Sequence, residues 1–147
     1  MTRHKEALLL SILLFSSHIA WAADAAGIVK ISKGTVGLER DGQKMALPVG
    51  TSILASDRVV TGADGSVGIT LRDNTVLSAG PNSTVELNKF AFNSTTHAGT
   101  IDAAVKRGTL SVISGKIAKA TPEAISFSAP GMTLGVRGTS FLIDAGQ

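Results

Sequence analysis

The chain has 147 residues, no cysteine and a formal net charge of +3. No disulfide framework is available to it, so stability rests on packing and hydrogen bonding. The weak basic surplus gives no argument for nucleic acid as a partner.

The first residues read as a targeting segment. Arg3, His4 and Lys5 form a positive head, Ala7 to Ile19 is an apolar run, and Ala20-Trp21-Ala22 puts small residues where a signal peptidase reads. That is the pattern of a secretory signal peptide over residues 1–22, cleaved after Ala22 with Ala23 as the next position. The apolar run is shorter than the about 20 residues that a membrane span needs. No cysteine follows it to carry a lipid anchor, and no later segment is apolar enough to span. Arg3, Lys5 and Glu6 leave with the signal, which lowers the surplus by one to +2. Residues 23–147 are then expected to form one exported domain.

Short apolar runs separated by glycine fill that domain. In chain order they include Ile28 to Ile31, Thr35 to Arg40, Arg58 to Thr61, Ser66 to Arg72, Thr75 to Ser78, Thr84 to Leu87, Thr109 to Ile113 and Ser140 to Ile143. Several alternate: Val67, Ile69 and Leu71 fall on one side of a strand, as do Val85 with Leu87 and Leu110 with Val112. Period two with β-branched residues predicts strands. Ile101 to Lys106 reads as a strand, with a short helix as the alternative. Asp41-Gly42 and Asp64-Gly65 predict tight turns at positive φ, and Asp73-Asn74 predicts the same less readily. Gly80-Pro81-Asn82 and Ala129-Pro130-Gly131 interrupt strand pairing. Ala91 to Ala98 is the expected exposed loop, followed by Thr121 to Ala124. No stretch shows a helical stripe over three turns.

A Gly-Thr unit precedes apolar residues at Gly34-Thr35, Gly50-Thr51, Gly99-Thr100, Gly108-Thr109 and Gly138-Thr139. Its spacing is irregular, which excludes a strict solenoid period but fits strands entered from a glycine corner. The predicted fold class is all-β: a single domain of short strands, either a β-sandwich or a short β-roll of solenoid-like build.

The passage from Ala129 to Ile143 is the most specified. Arg137 stands between Gly135 and Gly138, with Val136 inside the pair and Thr139 and Phe141 beyond it. This reads as a joint rather than a catalytic centre, since no nucleophile or base lies beside it. Two roles stay open for Arg137. One is structural, its donors taken up by carbonyls or by a carboxylate such as Asp57 or Asp73. The other is contact with a partner.

Taken together, these pieces resemble the FecR-type domain of bacterial envelope regulators. The resemblance rests on Leu47-Pro48-Val49-Gly50 with Ile53, Asp57, Val59 and Thr61-Gly62, then on Gly65, Val67 to Leu71 and Asp73-Asn74-Thr75. It continues through Gly80-Pro81-Asn82-Ser83 with Val85 and Leu87, Gly108-Thr109-Leu110, and Pro130 with Gly135-Val136-Arg137-Gly138-Thr139-Ser140-Phe141. It covers about Gly27 to Ile143. The resemblance implies an all-β periplasmic module that works by contact with other proteins. In well-known members such a domain lies outside an inner-membrane anti-sigma segment and receives a signal from an outer-membrane receptor. Here no cytoplasmic segment or span is seen, so a stand-alone exported domain is expected.

Other residue types point to weaker sites. Asp57, Asp64 and Asp73 are oxygen donors at turns, but their spacing matches no known calcium loop, and such acids ordinarily close Asx turns. His97 is the one histidine left after cleavage, and it has neither partner ligands for zinc nor the setting of a triad base. Asn82-Ser83-Thr84 and Asn93-Ser94-Thr95 match the glycosylation acceptor pattern. Lys106, Arg107, Lys116 and Lys119 suggest a basic face, solvated or in contact with anionic glycan or lipid.

The residues therefore predict no catalytic, metal or cofactor site. The expected function is a non-catalytic periplasmic interaction module, regulatory in envelope signalling, with a periplasmic or outer-membrane protein as its unidentified partner. Thr139 to Ile143 would supply an edge strand for that contact. The alternative is an envelope glycan- or ligand-binding domain, which the scarcity of aromatics disfavours. A third, a hydrolase using His97 as base, has little to support it.

Overall fold

The computed structural model describes residues 24–147; the expected signal peptide lies outside the described residues. The strands are β1 (Gly27–Lys33), β2 (Val36–Arg40), β3 (Gln43–Ala46), β4 (Ser52–Ile53), β5 (Arg58–Thr61), β6 (Ser66–Leu71), β7 (Val76–Ala79), β8 (Thr84–Phe92), β9 (Gly99–Arg107), β10 (Thr109–Ile113), β11 (Ile125–Ala129), β12 (Met132–Gly135) and β13 (Ser140–Asp144). One short helix, α1 (Lys116–Ala120), and a 3₁₀ turn at Pro122–Ala124 join β10 to β11.

The strands form two open sheets, ordered β13-β10-β7-β6-β1-β4 and β12-β11-β9-β8-β5-β2-β3. The two are called sheet A and sheet B below. Of the two arrangements left open by the sequence, the molecule takes the two-sheet form. Val29, Ile69, Leu71, Leu110 and Val112 of sheet A and Leu38, Val85, Ile101, Val105 and Phe127 of sheet B belong to one buried cluster. The alternation seen in the sequence produces this layer: in the strands that carry it, one face enters the cluster and the other meets solvent. All neighbours run antiparallel except β9 and β11. That parallel pair requires a crossover, which β10, α1 and the 3₁₀ turn supply.

The Gly-Thr units mark where the chain changes sheets. Gly34, Gly50, Gly108 and Gly138 all have positive φ, and each stands where one sheet hands the chain to the other. Gly108 shows the demand most directly. Its φ is +78, and a Cβ there would lie 2.2 Å from Ser83 Oγ and 2.6 Å from Ser83 Cα. Gly99 is the exception, since it opens β9 within a hairpin of one sheet.

The turn predictions divide. Asp41 and Gly42 both have positive φ, 52° and 75°, and close the β2–β3 hairpin. Asn74 (φ 69°) turns β6 into β7. Asp64-Gly65 does not use positive φ. Gly65 is needed there for closeness instead, because a Cβ would sit 2.3 Å from the Thr35 carbonyl oxygen. Pro130-Gly131 is itself a two-residue hairpin turn between β11 and β12. Ile101 to Lys106 lies in a strand, and the exposed loop shortens to residues 93–98 because β8 continues through Phe92.

Candidate functional site

Five polar side chains are buried among the described residues: Asp57, Thr61, Asp73, Thr75 and Ser83. All five belong to the passages on which the resemblance was read. Each is fully engaged, as burial of polar groups requires, and no buried side-chain donor or acceptor among the described residues lacks a partner. Asp57 accepts from Arg40 Nε (2.8 Å), Arg40 Nη2 (2.6 Å) and the Leu54 amide (2.7 Å). This ion pair and its charge raise the Arg40 pKa above its ordinary value. Thr61 Oγ1 donates to the Gly80 carbonyl (2.6 Å) and accepts from the Ser83 amide (2.9 Å). Ser83 Oγ in turn accepts from the Thr109 amide (2.9 Å). Asp73 takes the Thr75 hydroxyl (2.7 Å), the Thr75 amide and the Ile117 amide, which docks α1. These residues fasten corners and strand ends; they do not line a reaction centre.

Both carboxylates first open to Arg137 as structural partners are engaged elsewhere. Asp57 is held by Arg40 and Asp73 by Thr75 and α1, so neither carboxylate serves Arg137. Arg137 is exposed and has no carboxylate within 4 Å among the described residues. The rest of its motif is anchored. Gly135 ends β12, Val136 is buried, Gly138 has φ +129, and the Thr139 carbonyl accepts from the Ser114 amide at 2.8 Å. Phe141 meets Phe127 edge to face, with centroids 5.3 Å apart, which ties β13 of one sheet to β11 of the other. The loop at 136–139 thus crosses between sheet edges with its apolar members inside and its cation outside. A cleft of about 470 Å³ lies on one flank, lined by Pro122, Glu123, Ile125, Gly135, Val136 and Arg137. A smaller recess of about 160 Å³ on the other flank includes Leu134, Phe141 and Leu142.

The two lateral sides of the molecule treat their strand edges differently. Unpaired edges invite pairing with other chains, and proteins blunt them with charge, shortness or proline. On one side β4 is only two residues long. There β3 opens a charged ladder over the outer face of sheet B. Lys44 faces Glu39 (3.8 Å), Glu39 faces Arg58 (3.5 Å), Arg58 binds Glu86 through Nε at 2.8 Å and through Nη2, and Lys106 reaches Glu86 at 3.8 Å. On the other side, β12 and β13 are both free on their outer edges and have neither lysine, arginine nor proline. The Arg137 loop connects these two edges. From β6 to β13 the two central rows on the outer face of sheet A hold no charge, while in β1 the exposed Lys30 stands at a bulge beside Ile31. One row is Ile31, Gly68, Ser78, Ser111 and Leu142; the other is Ile28, Thr70, Val76, Ile113 and Ser140.

The remaining candidates come apart. Lys116 and Lys119 sit on α1, whose Ile117 packs at Gly99, the start of β9. Lys106 and Arg107 lie at the far end of the same strand, roughly 25 Å away at the usual rise per residue, so the four cations form no common face. His97 is exposed at φ 63° and stacks on Phe92 with centroids 6.2 Å apart. Asn93 Oδ1 accepts from the Thr95 and Thr96 amides as an Asx turn. Asp64 accepts from the Thr35 amide at 3.1 Å, and that bond holds its carboxyl below the ordinary value. Among the described residues no group of three or more His, Asp or Glu could hold a metal ion. Also among them, no helix is long and apolar enough to cross a membrane. Sequence reading missed Arg40 as the partner of Asp57 and missed the ladder entirely. Apart from Glu39 and Lys44, which face each other in one hairpin, these contacts join residues distant in sequence.

Comparison with curated proteins gives no match, and comparison with solved structures gives none either. A family model described as FecR protein matches residues 57–147, more than half of the chain. Proteins of that family take part in envelope signalling. The match begins at Asp57, so β1 to β4 lie before it, yet β1 pairs with β6 throughout its length. All five buried polar residues, Gly108 and the Gly135 to Phe141 passage fall inside the matched span, and this chain belongs to the FecR protein family.

Proposed function

We propose that this protein is a non-catalytic, periplasmic protein-interaction module with a regulatory role in envelope signalling. Residues 1–22 would export it, and residues 23–147 would be the working domain. The observation that carries this reading is the unguarded side. The free edges of β12 and β13 flank an exposed Arg137 on an anchored loop, while the opposite side is shortened or charged. An extended segment of a periplasmic or outer-membrane protein could pair with either edge through its backbone. A carboxylate on that segment would meet Arg137, whose fork suits carboxylates. The motif residues then divide the work. Val136 and Phe141 hold the loop, Gly138 shapes it after Gly135 ends β12, Thr139 fixes its exit, and Arg137 makes the contact. A glycan-binding role draws no support from the larger cleft, whose lining includes no aromatic side chain.

Site-directed photo-cross-linking in intact cells tests this. A cross-linker at position 137 is expected to capture an envelope protein that the same group at Lys44 does not. Equal capture at the two positions, or none at 137, would reject the proposal.

A further inference from the structure

The free edge of β13 has a property that the partner proposal does not use: it matches itself. The amide of Ser114 donates to the Thr139 carbonyl, and the Ala145 amide donates to the Gly108 carbonyl. These bonds fix the phase of the β10–β13 pair. Phe141 and Ile143 spend their backbone groups on β10 and turn their side chains inward. Ser140, Leu142 and Asp144 present backbone N–H and C=O to the open edge and side chains to the outer face of sheet A. The edge therefore has three bonding residues, with Leu142 in the middle.

We infer that two copies of this chain associate through β13, antiparallel about a two-fold axis at Leu142. In that register Leu142 faces Leu142 of the second copy. Ser140 faces Asp144, and Asp144 faces Ser140. Each of these is a narrow pair exchanging two backbone bonds, about six in all. The chemistry agrees at every position. Leu142, 68% exposed in one copy, is covered by its equivalent. The Ser140 hydroxyl can donate to the Asp144 carboxylate across the axis. Half-buried Phe141 lies against Ile143 on the inner face. No like charges meet, because Asp144 is displaced from its own equivalent. The contact is isologous: the same edge serves both copies, and each pairing is repeated with the roles exchanged. The uncharged stretch of sheet A from β6 to β13 would then run on into the second copy. A five-residue edge buries less than the about 1,200 Å² of a stable interface, so the dimer is weak and concentration-dependent. A partner strand would compete for the same edge.

Cysteine substitution reads the register directly, because the chain has no cysteine of its own. Facing Cα atoms in a narrow pair are about 5.5 Å apart, within disulfide reach. Position 140 is removed from its own equivalent by four residues, roughly 13 Å. Under mild oxidation Leu142→Cys should link into a dimer. Ser140→Cys and Asp144→Cys should each stay monomeric alone and link when mixed. Sedimentation velocity of the parent protein over about 5–500 µM should show the mass rising toward twice the monomer. Leu142→Lys should abolish that rise while melting like the parent. If Leu142→Lys does not fold, the cysteine set still decides. A parent that stays monomeric throughout, or a Ser140→Cys that links to itself as fast as Leu142→Cys, overturns the inference. A monomer whose position 142 cross-links only to another envelope protein does so too, and assigns the edge to that chain.

Discussion

Arg40 and Asp57 stand 17 residues apart in sequence and meet through two hydrogen bonds, Nε to Oδ1 at 2.8 Å and Nη2 to Oδ2 at 2.6 Å. The carboxylate is 1% exposed and the guanidinium side chain 27%. The same guanidinium donates to the Ser52 carbonyl at 3.0 Å, so one ion pair gathers the end of β2, the short strand β4 and the turn into β5. Removing one member of such a pair leaves the other desolvated and uncompensated. Arg40→Ala strands the buried carboxylate and is expected to cost about 3 kcal/mol; Asp57→Ala leaves a guanidinium that water can reach and should cost less. Urea denaturation of the two variants measures the difference. Equal and small losses would mean that the pair is no more than a surface contact.

Thr61 joins two corners with a single hydroxyl. Thr61→Val keeps the shape and removes both bonds, leaving the buried Ser83 amide and Gly80 carbonyl without it. The expected loss is about 2 kcal/mol. Ser83→Ala should cost a similar amount, and the double variant less than the sum, because the two side chains serve one network. Strict additivity in a double-mutant cycle would show the corners to be independent.

Gly108 and Gly131 share a positive φ, 78° and 80°, in different surroundings. At Gly131 nothing lies within 4 Å of an added Cβ, whereas at Gly108 the Ser83 backbone and side chain do. Gly131→Ala should lose about 1 kcal/mol, from backbone strain alone. Gly108→Ala adds a collision and should lose about 3 kcal/mol or more. Thermal melts that rank the two variants the other way would contradict the corner geometry.

The Asp64 carboxyl is held below its ordinary value of 3.8, first by the Thr35 amide and then by the Thr35 hydroxyl. A depressed folded-state value means that the charged form stabilises the fold. That contribution is complete above the unfolded value and disappears as pH falls through the lower folded one. Asp64→Asn keeps the acceptor oxygen and removes the titration. The variant should be less stable than the parent at pH 6, and the gap should close below about pH 4. A gap of constant size from pH 6 to pH 2 would show that Asp64 contributes nothing through its charge.

Arg137→Ala separates a structural arginine from a contacting one. The side chain is exposed and unpaired by carboxylates, so the variant should match the parent in stability within about 0.5 kcal/mol. Capture of an envelope partner by a cross-linker in the recess at Leu134 should fall several-fold. A large drop in melting temperature would return Arg137 to a structural role.

Much of this fold is written locally. Alternation in Ser66 to Leu71, Arg58 to Thr61 and Thr109 to Ile113 marks strands, because side chains on successive residues point to opposite faces wherever a strand forms. Asp41-Gly42 marks a hairpin because few other residues accept positive φ there. Other parts left little local trace. The four residues of β3 are exposed throughout, so no apolar pattern announces it. Helix α1 is five residues long and held by Asp73 from another part of the chain.

An all-β chain with glycine corners and a specified passage around Arg137 was already legible along the chain, since backbone conformation and side-chain alternation depend on near neighbours. Which strands became neighbours was set by the folded arrangement alone. It paired Asp57 with Arg40, ranked Lys44, Glu39, Arg58, Glu86 and Lys106 across five strands, and left β12 and β13 as the free edges on either side of Arg137. Contacts between residues remote along the chain follow from how two sheets close over one core, and no local pattern encodes that order.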